Sequence, residues 1–209
     1  MAIYVDTALP SEVEAALALG FVSGVTTNPA LVAAAGRPAH TLLAELSALV
    51  PGGPVFHQVV GATLSDRIAD AEAALAFPGV SLKVPATTEN MALVRRFAAD
   101  GVALTAMFAG AQALVGIAAG ARWLIPYVNR TTRLLGDGLG FVRQCRQVAD
   151  AATRRIEVLA ASLKSPEEAL QAALAGAHHV SLPLAVLLAM GDHPLSRDAI
   201  AEFDRAGTS

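Results

Sequence analysis

The sequence predicts a (β/α)8 barrel, on three observations. Eight short apolar runs rich in β-branched residues alternate with longer Ala/Leu-rich runs of helical spacing along 209 residues, which is the pattern of repeated β-α units at the small end of that fold's range. No Ser/Pro-rich linker or low-complexity tract interrupts them, so one domain spanning 1–209 with a C-terminal helix is expected. Polar residues also gather at the carboxyl ends of the apolar runs, where a parallel barrel carries its chemistry. A doubly wound sheet is the competing class. It usually needs a glycine-rich loop after its first strand, whereas the first run here ends Asp6-Thr7-Ala8-Leu9-Pro10.

The elements follow in order. A strand at 3–6 leads to a helix at 11–19, with Ser11 expected as its cap before Glu12 and Glu14. A strand at 21–26 runs into Thr27-Asn28-Pro29, and Asn-Pro reads as a turn or a helix start. A helix at 39–49, a strand at 55–60 and a helix at 64–76 come next. The strand at 80–85 precedes a helix at 89–99, for which Thr88 is the expected cap, and a strand at 102–108 precedes a helix at 109–119. The strand at 123–128 is followed by a polar stretch, 131–138, read as a solvated loop, and by a helix within 139–159. The last units are a strand at 156–161, a helix at 166–174 capped by Ser165 with Glu167 and Glu168 in its first turn, a strand at 179–183 and a helix at 184–190. The amphipathic tail, 194–203, is expected to dock on a neighbour.

Composition excludes several function classes. With 54% hydrophobic and 16% charged residues the chain has ample material for a sizeable core. A net charge of -3 without a basic stripe argues against a nucleic-acid partner, and aromatics at 5% offer no stacking platform. The start, Met-Ala-Ile-Tyr-Val-Asp, lacks the basic and apolar regions of a signal peptide. The Ala-rich stretch 103–121 contains Thr105, Gln112 and glycines, so it reads as strand plus helix and not as a membrane span. A cytoplasmic protein is expected. Cys145, the only cysteine, reads as a thiol on a helix face without a catalytic role.

Lysine usage is the strongest functional signal. Of two lysines, Lys83 lies inside the apolar run 77–86. An ammonium group in apolar surroundings loses hydration, its pKa falls, and the neutral amine that attacks carbonyls becomes populated near neutral pH. Strand parity puts Ser81, Lys83 and Pro85 on one face and Val80, Leu82 and Val84 on the other. With the aliphatic face on the helices, Lys83 points into the barrel. A lysine snorkelling to water or paired with a carboxylate is the plainer alternative. The other rim candidates are Asp6, Thr26, Thr27, Asn28, His57, Gln58, Thr105, Tyr127, Asn129, Arg130 and Ser162. His178 and His179 are adjacent and therefore point to opposite faces, which disfavours a shared metal with His57, and His40 and His193 read as loop or terminal residues. No metal or cofactor is expected.

The segments Val25-Thr-Thr-Asn-Pro29, Leu82-Lys-Val-Pro85, Pro126-Tyr-Val-Asn-Arg130 and Leu159-Ala-Ala-Ser162 resemble the signature segments of the transaldolase family. They are co-linear, run along most of the chain and most resemble the short fructose-6-phosphate aldolase group. The resemblance implies a metal-independent class I aldolase in which Lys83 forms a Schiff base with a ketose carbonyl. It implies that Asp6 handles a substrate hydroxyl proton or orients the sugar, an ion pair with Lys83 or Arg130 being the plainer alternative, that Thr26 and Asn28 hold donor hydroxyls, and that Gln58, Thr105 and Tyr127 position a proton-shuttling water. Arg130 and Ser162 match phosphate-binding positions, consistent with a guanidinium clamp and a hydroxyl near a helix N-terminus. The resemblance further implies sugar phosphate and small aldehyde or ketone substrates and a homo-oligomer, a pentamer or a decamer.

Ile125 departs from the family's small residue beside the donor's first hydroxyl, which favours a less hydroxylated donor such as hydroxyacetone. The run 101–105 is about two residues shorter than usual, and Arg133 and Asp137 offer extra polar groups near Arg130. Transfer of a dihydroxyacetone unit between sugar phosphates, a non-catalytic sugar-phosphate-binding barrel and a metal-dependent aldolase are the competing functions.

Overall fold

Eight parallel strands close on themselves in sequence order in the computed structural model, which describes residues 1–207. The strand β1 (Ala2–Asp6) pairs with both β2 (Val22–Thr26) and β8 (His179–Leu182), and the ring is completed by β3 (Val55–Gln58), β4 (Val80–Pro85), β5 (Val102–Met107), β6 (Trp123–Pro126) and β7 (Glu157–Ala160). The helices are α1 (Pro10–Ala18), α2 (Pro29–Ala34), α3 (Ala39–Leu49), α4 (Leu64–Leu75), α5 (Met91–Arg96), α6 (Gly110–Ala119), α7 (Val128–Leu135), α8 (Gly138–Asp150), α9 (Pro166–Leu174), α10 (Leu184–Met190) and α11 (Pro194–Gly207). The (β/α)8 barrel is therefore the observed architecture.

Strand alternation divides the apolar residues into two layers. Val5, Val25, Val55, Val80, Leu82, Val84, Leu104 and Leu124 face the helices and join the large core between sheet and helix ring. Tyr4, Phe56, Ala103, Trp123, Ile125, Leu159 and Ala161 fill the barrel interior. Phe56 packs edge-on against both Tyr4 and Trp123, with ring centroids 5.7 and 5.2 Å away. This plug is the floor on which the polar end of the barrel rests. Below it, the buried Glu157 accepts from Trp123 Nε1 at 2.7 Å and pairs with Arg155 at 2.6 Å, a network at the amino-terminal face.

Several local expectations need correction. Ser11 does not cap α1, because Pro10 takes the first helical position and moves the boundary to Leu9. No side chain caps α1; Thr7 instead bridges the turn before it, accepting from the Leu9 amide at 3.1 Å and donating to Glu12 at 2.5 Å. Thr88 is no cap either. The segment opens as a 3₁₀ turn, Thr88–Asn90, and Asn90 donates back to the Pro85 carbonyl at 3.0 Å. Asn28-Pro29 is a helix start, with Asn28 Oδ1 accepting from the Ala30 and Leu31 amides at 3.1 Å each.

The stretch read as a loop is mostly the helix α7, which ends at Gly136 in a left-handed conformation (φ 91°). A Cβ on Gly138 would lie 2.2 Å from the Val128 carbonyl oxygen. Only glycine allows α8 to start so close beneath α7, and this tight corner fixes the helix that carries Arg130. Ser165 caps α9 as expected, accepting from the Glu168 amide at 3.1 Å. The tail forms α11, which buries no residue and exposes Leu195, Ile200 and Phe203.

Candidate active site

The carboxyl ends of the strands converge on a cavity of about 370 Å³ lined by Asp6, Asn28, Pro29, Ala30, Gln58, Lys83, Tyr127, Arg130, Ala161, Ser162 and Lys164. Among the residues expected from the sequence, Asp6, Asn28, Gln58, Lys83, Tyr127, Arg130 and Ser162 thus meet in one space. Thr26, Thr105 and Ile125 do not line it. Thr26 and Thr105 instead bond to residues that do, and Ile125 belongs to the interior plug, 1% exposed.

Lys83 is fully enclosed, and Nζ donates to the Thr27 carbonyl at 2.7 Å. Burial pushes its pKa from 10.5 down to about 8, with the negative charge of Asp6 pulling the other way. Asp6 accepts from Thr26 Oγ1 at 2.7 Å, and that hydroxyl also lies 2.5 Å from Ser181 Oγ. Neighbouring strands therefore hold the carboxylate in place without using Lys83 as its hydrogen-bond partner.

Across the barrel, Thr105 Oγ1 donates to the Tyr127 hydroxyl at 3.0 Å. A β-bulge produces this alignment. The β5–β6 register slips between Leu104 and Met107, and Ala106 takes a positive φ of 52°. Thr105 then stays on the inner face while Met107 returns to the helix-side core. Gln58 Oε1 is buried without a hydrogen-bond partner among the described residues, an open acceptor at the cavity wall.

Arg130, Ser162 and Lys164 form the cationic, donor-rich end. The Arg130 guanidinium stacks on the Tyr127 ring, 4.9 Å from its centroid. Ser162 holds a positive φ of 59° directly after β7, the kind of backbone strain that is stored at functional sites. Lys164 was not among the expected residues. The sequence signal for it is rarity and position, since it is the second of only two lysines and lies two residues after Ser162.

Other expectations are redirected. His57 points away from the barrel interior, since it alternates with the inward Phe56 and Gln58, and it meets Asp70 of α4 at 2.9 Å. His40 lies in the first turn of α3, not in a loop, 3.2 Å from the same carboxylate. Asn129 is engaged outside the cavity, donating to Glu168 at 2.7 Å. Asp137 caps α8 by accepting from the Gly140 amide at 2.6 Å, and neither it nor Arg133 lines the cavity. His178 and His179 sit at the opposite end of the barrel and accept from the Val158 and Ala2 amides. Burial pushes the Cys145 thiol up to about 12, which suits its inert helix-face reading.

Comparison with known proteins places this arrangement among relatives. A family model described as "Transaldolase/Fructose-6-phosphate aldolase" matches residues 3–208. Proteins named "Probable transaldolase" from Halalkalibacterium halodurans and Pelotomaculum thermopropionicum are each 35% identical over 206 residues, covering 97% of this chain and 97% and 95% of theirs. The same name is carried by a protein of Alkaliphilus metalliredigens, 35% identical over 97% of this chain and 96% of its own. Among solved structures, a protein of Pediococcus acidilactici described as a lactate oxidase superposes with a TM-score of 0.64 at 12% identity. That match covers 88% of this chain and 63% of the other, and it shows a shared barrel fold alone.

Proposed function

The chain belongs to the transaldolase/fructose-6-phosphate aldolase family, and on that premise we propose that it is a Schiff-base enzyme that makes and breaks the C3–C4 bond of ketose phosphates such as fructose 6-phosphate. One observation carries the proposal: the buried amine of Lys83 shares a cavity with a carboxylate at one side and two cations at the other. The neutral amine attacks the ketose carbonyl and water leaves, giving an iminium. Asp6 accepts the C4 hydroxyl proton, the C3–C4 bond breaks into the iminium, and an aldose phosphate departs. The resulting enamine is protonated at C3 and hydrolysed, which returns Lys83 and releases dihydroxyacetone. Tyr127, oriented by Thr105 and lining the same cavity as the open acceptor of Gln58, suits the relay of protons through water. Arg130, Ser162 and Lys164 take the phosphate.

Borohydride reduction in the presence of fructose 6-phosphate is the test. A mass adduct on the peptide carrying Lys83, absent in Lys83→Met, supports the proposal, and no adduct overturns it. The names of the relatives favour a second reading, in which the enamine is passed to an acceptor aldose phosphate. Release of free dihydroxyacetone without an acceptor separates cleavage from transfer. Gln58 and Tyr127 favour cleavage, because they hold the groups that would position a water to deliver a proton to C3 of the enamine, after which water adds to the iminium and releases the ketone.

A further inference from the structure

We propose that His40, His57 and Asp70 form a binding site for a zinc-class divalent cation on the helix-facing side of β3. The three residues come from α3, β3 and α4, and one donor atom of each lies within 4.8 Å of the other two. His57 Nε2 is 2.9 Å from Asp70 Oδ2 and His40 Nε2 is 3.2 Å from Asp70 Oδ1. Tetrahedral zinc bonds of about 2.0–2.2 Å set neighbouring donors roughly 3.3–3.5 Å apart. Each imidazole nitrogen is already within a few tenths of an ångström of that spacing from a carboxylate oxygen of Asp70, and the spacing between the two imidazoles, within 4.8 Å, closes to it by movement of the half-exposed His40 ring. Two imidazole nitrogens and one carboxylate oxygen suit zinc, cobalt or nickel and not magnesium or calcium.

The surroundings are those of a prepared site. This layer between sheet and helices is built mainly of apolar side chains, and a buried polar group there demands a partner. The side chains of His57 and Asp70 are 5% and 14% exposed, whereas that of His40 is 40% exposed, which leaves an entry from solvent. The Val60 amide donates to Asp70 Oδ2 at 3.1 Å and orients the carboxylate from outside the trio. Three protein donors leave a fourth position open, and His57 borders a cavity of about 290 Å³ beside it. On binding, each neutral imidazole presents Nε2 to the cation and carries its proton on Nδ1. None of the three residues lines the active cavity that holds Lys83, although Gln58 borders both that cavity and the one beside His57.

Chelator-stripped full-length protein titrated with Co²⁺ should develop visible d–d absorption that saturates at one ion per chain and is displaced by Zn²⁺. His40→Ala, at a half-exposed position that keeps the fold by circular dichroism, should weaken binding at least tenfold. Asp70→Asn should do the same, while Lys83→Met and His178→Ala leave binding unchanged. Absent saturable binding, affinity that His40→Ala does not alter, or loss of binding in His178→Ala overturns the proposal.

Discussion

Lys83 Nζ donates to the carbonyl oxygen of Thr27 at 2.7 Å, a neutral acceptor just past the end of β2, two strands away from β4 in the ring. Such a partner holds the amine in position whether or not it is protonated, and it leaves burial to set the pKa at about 8. About a tenth of the amine is then neutral at pH 7. Imine trapping by borohydride should rise roughly tenfold between pH 7 and pH 9 and level off beyond an inflection near 8. Asp6 raises the pKa of Lys83, so Asp6→Asn should move the inflection toward lower pH. An inflection near 10.5 in the wild type, or a shift upward in Asp6→Asn, contradicts this assignment.

The same depressed pKa makes a stability prediction. The unfolded chain binds a proton at Lys83 up to about pH 10.5, whereas the folded chain releases it near 8. Between those values the unfolded state holds more protons, so stability rises with pH across this window, and the full penalty is present below it. Lys83→Met removes a penalty on the order of 3 kcal/mol and leaves the Thr27 carbonyl without its donor, which costs about 1 kcal/mol. Denaturant unfolding at pH 7 should show the variant more stable than wild type, and the gain should shrink from pH 8 to pH 10.5. A less stable variant at pH 7 contradicts the desolvation argument.

Tyr127 receives its hydrogen bond from Thr105, so its own proton is directed elsewhere. Tyr127→Phe keeps the ring beneath Arg130 and removes only the hydroxyl. Turnover should fall roughly 10²–10⁴-fold while the Lys83 adduct still forms on borohydride treatment. Thr105→Val should give a smaller loss in the same direction. If Tyr127→Phe abolishes the adduct as well, the hydroxyl acts in imine formation and not in the later proton transfers.

The proposed phosphate-binding roles of Arg130 and Lys164 can be told apart. Truncating Arg130 also removes the stacking on Tyr127, whereas Lys164 borders the same cavity from the loop before α9. Lys164→Met should raise KM for fructose 6-phosphate about 10–100-fold, the range for losing one charge-assisted contact. Its kcat should hold, and trapping with unphosphorylated dihydroxyacetone should not change. A KM unmoved by Lys164→Met shows that this ammonium is a solvated rim group.

Strand alternation made much of this site legible in advance. The inward positions of Lys83, Gln58 and Tyr127 follow from parity alone once the strands are placed, and strand ends differ from expectation by one or two residues. Parity applied strand by strand would also have turned His57 outward, yet a polar residue at a strand end reads as a rim residue until its neighbour across the helix layer is known. Asp70 supplies that neighbour from α4, thirteen positions away. The helix α7 was hidden because its polar composition matches a loop, and it is held by docking on α8 across Gly138. The bulge at Ala106 carries no glycine or proline to announce it.

Ile125 poses two effects against each other. The structure sets it in the interior plug with Phe56, Trp123 and Leu159, below the cavity wall and not on it. Ile125→Ala therefore removes buried methyl groups and should destabilise the fold by about 2–5 kcal/mol. The space it opens lies beneath the donor end of the cavity, and a donor with an additional hydroxyl gains room there only if the cavity deepens. Ile125→Val limits the stability loss to about 0.5–1.5 kcal/mol and trims one methyl group. Both variants should shift the kcat/KM ratio toward dihydroxyacetone and away from hydroxyacetone, with alanine shifting it further. A ratio that stays constant while stability falls by the expected amount assigns Ile125 to packing alone, and points to the polar wall of Asp6 and Asn28 as what sets the donor preference.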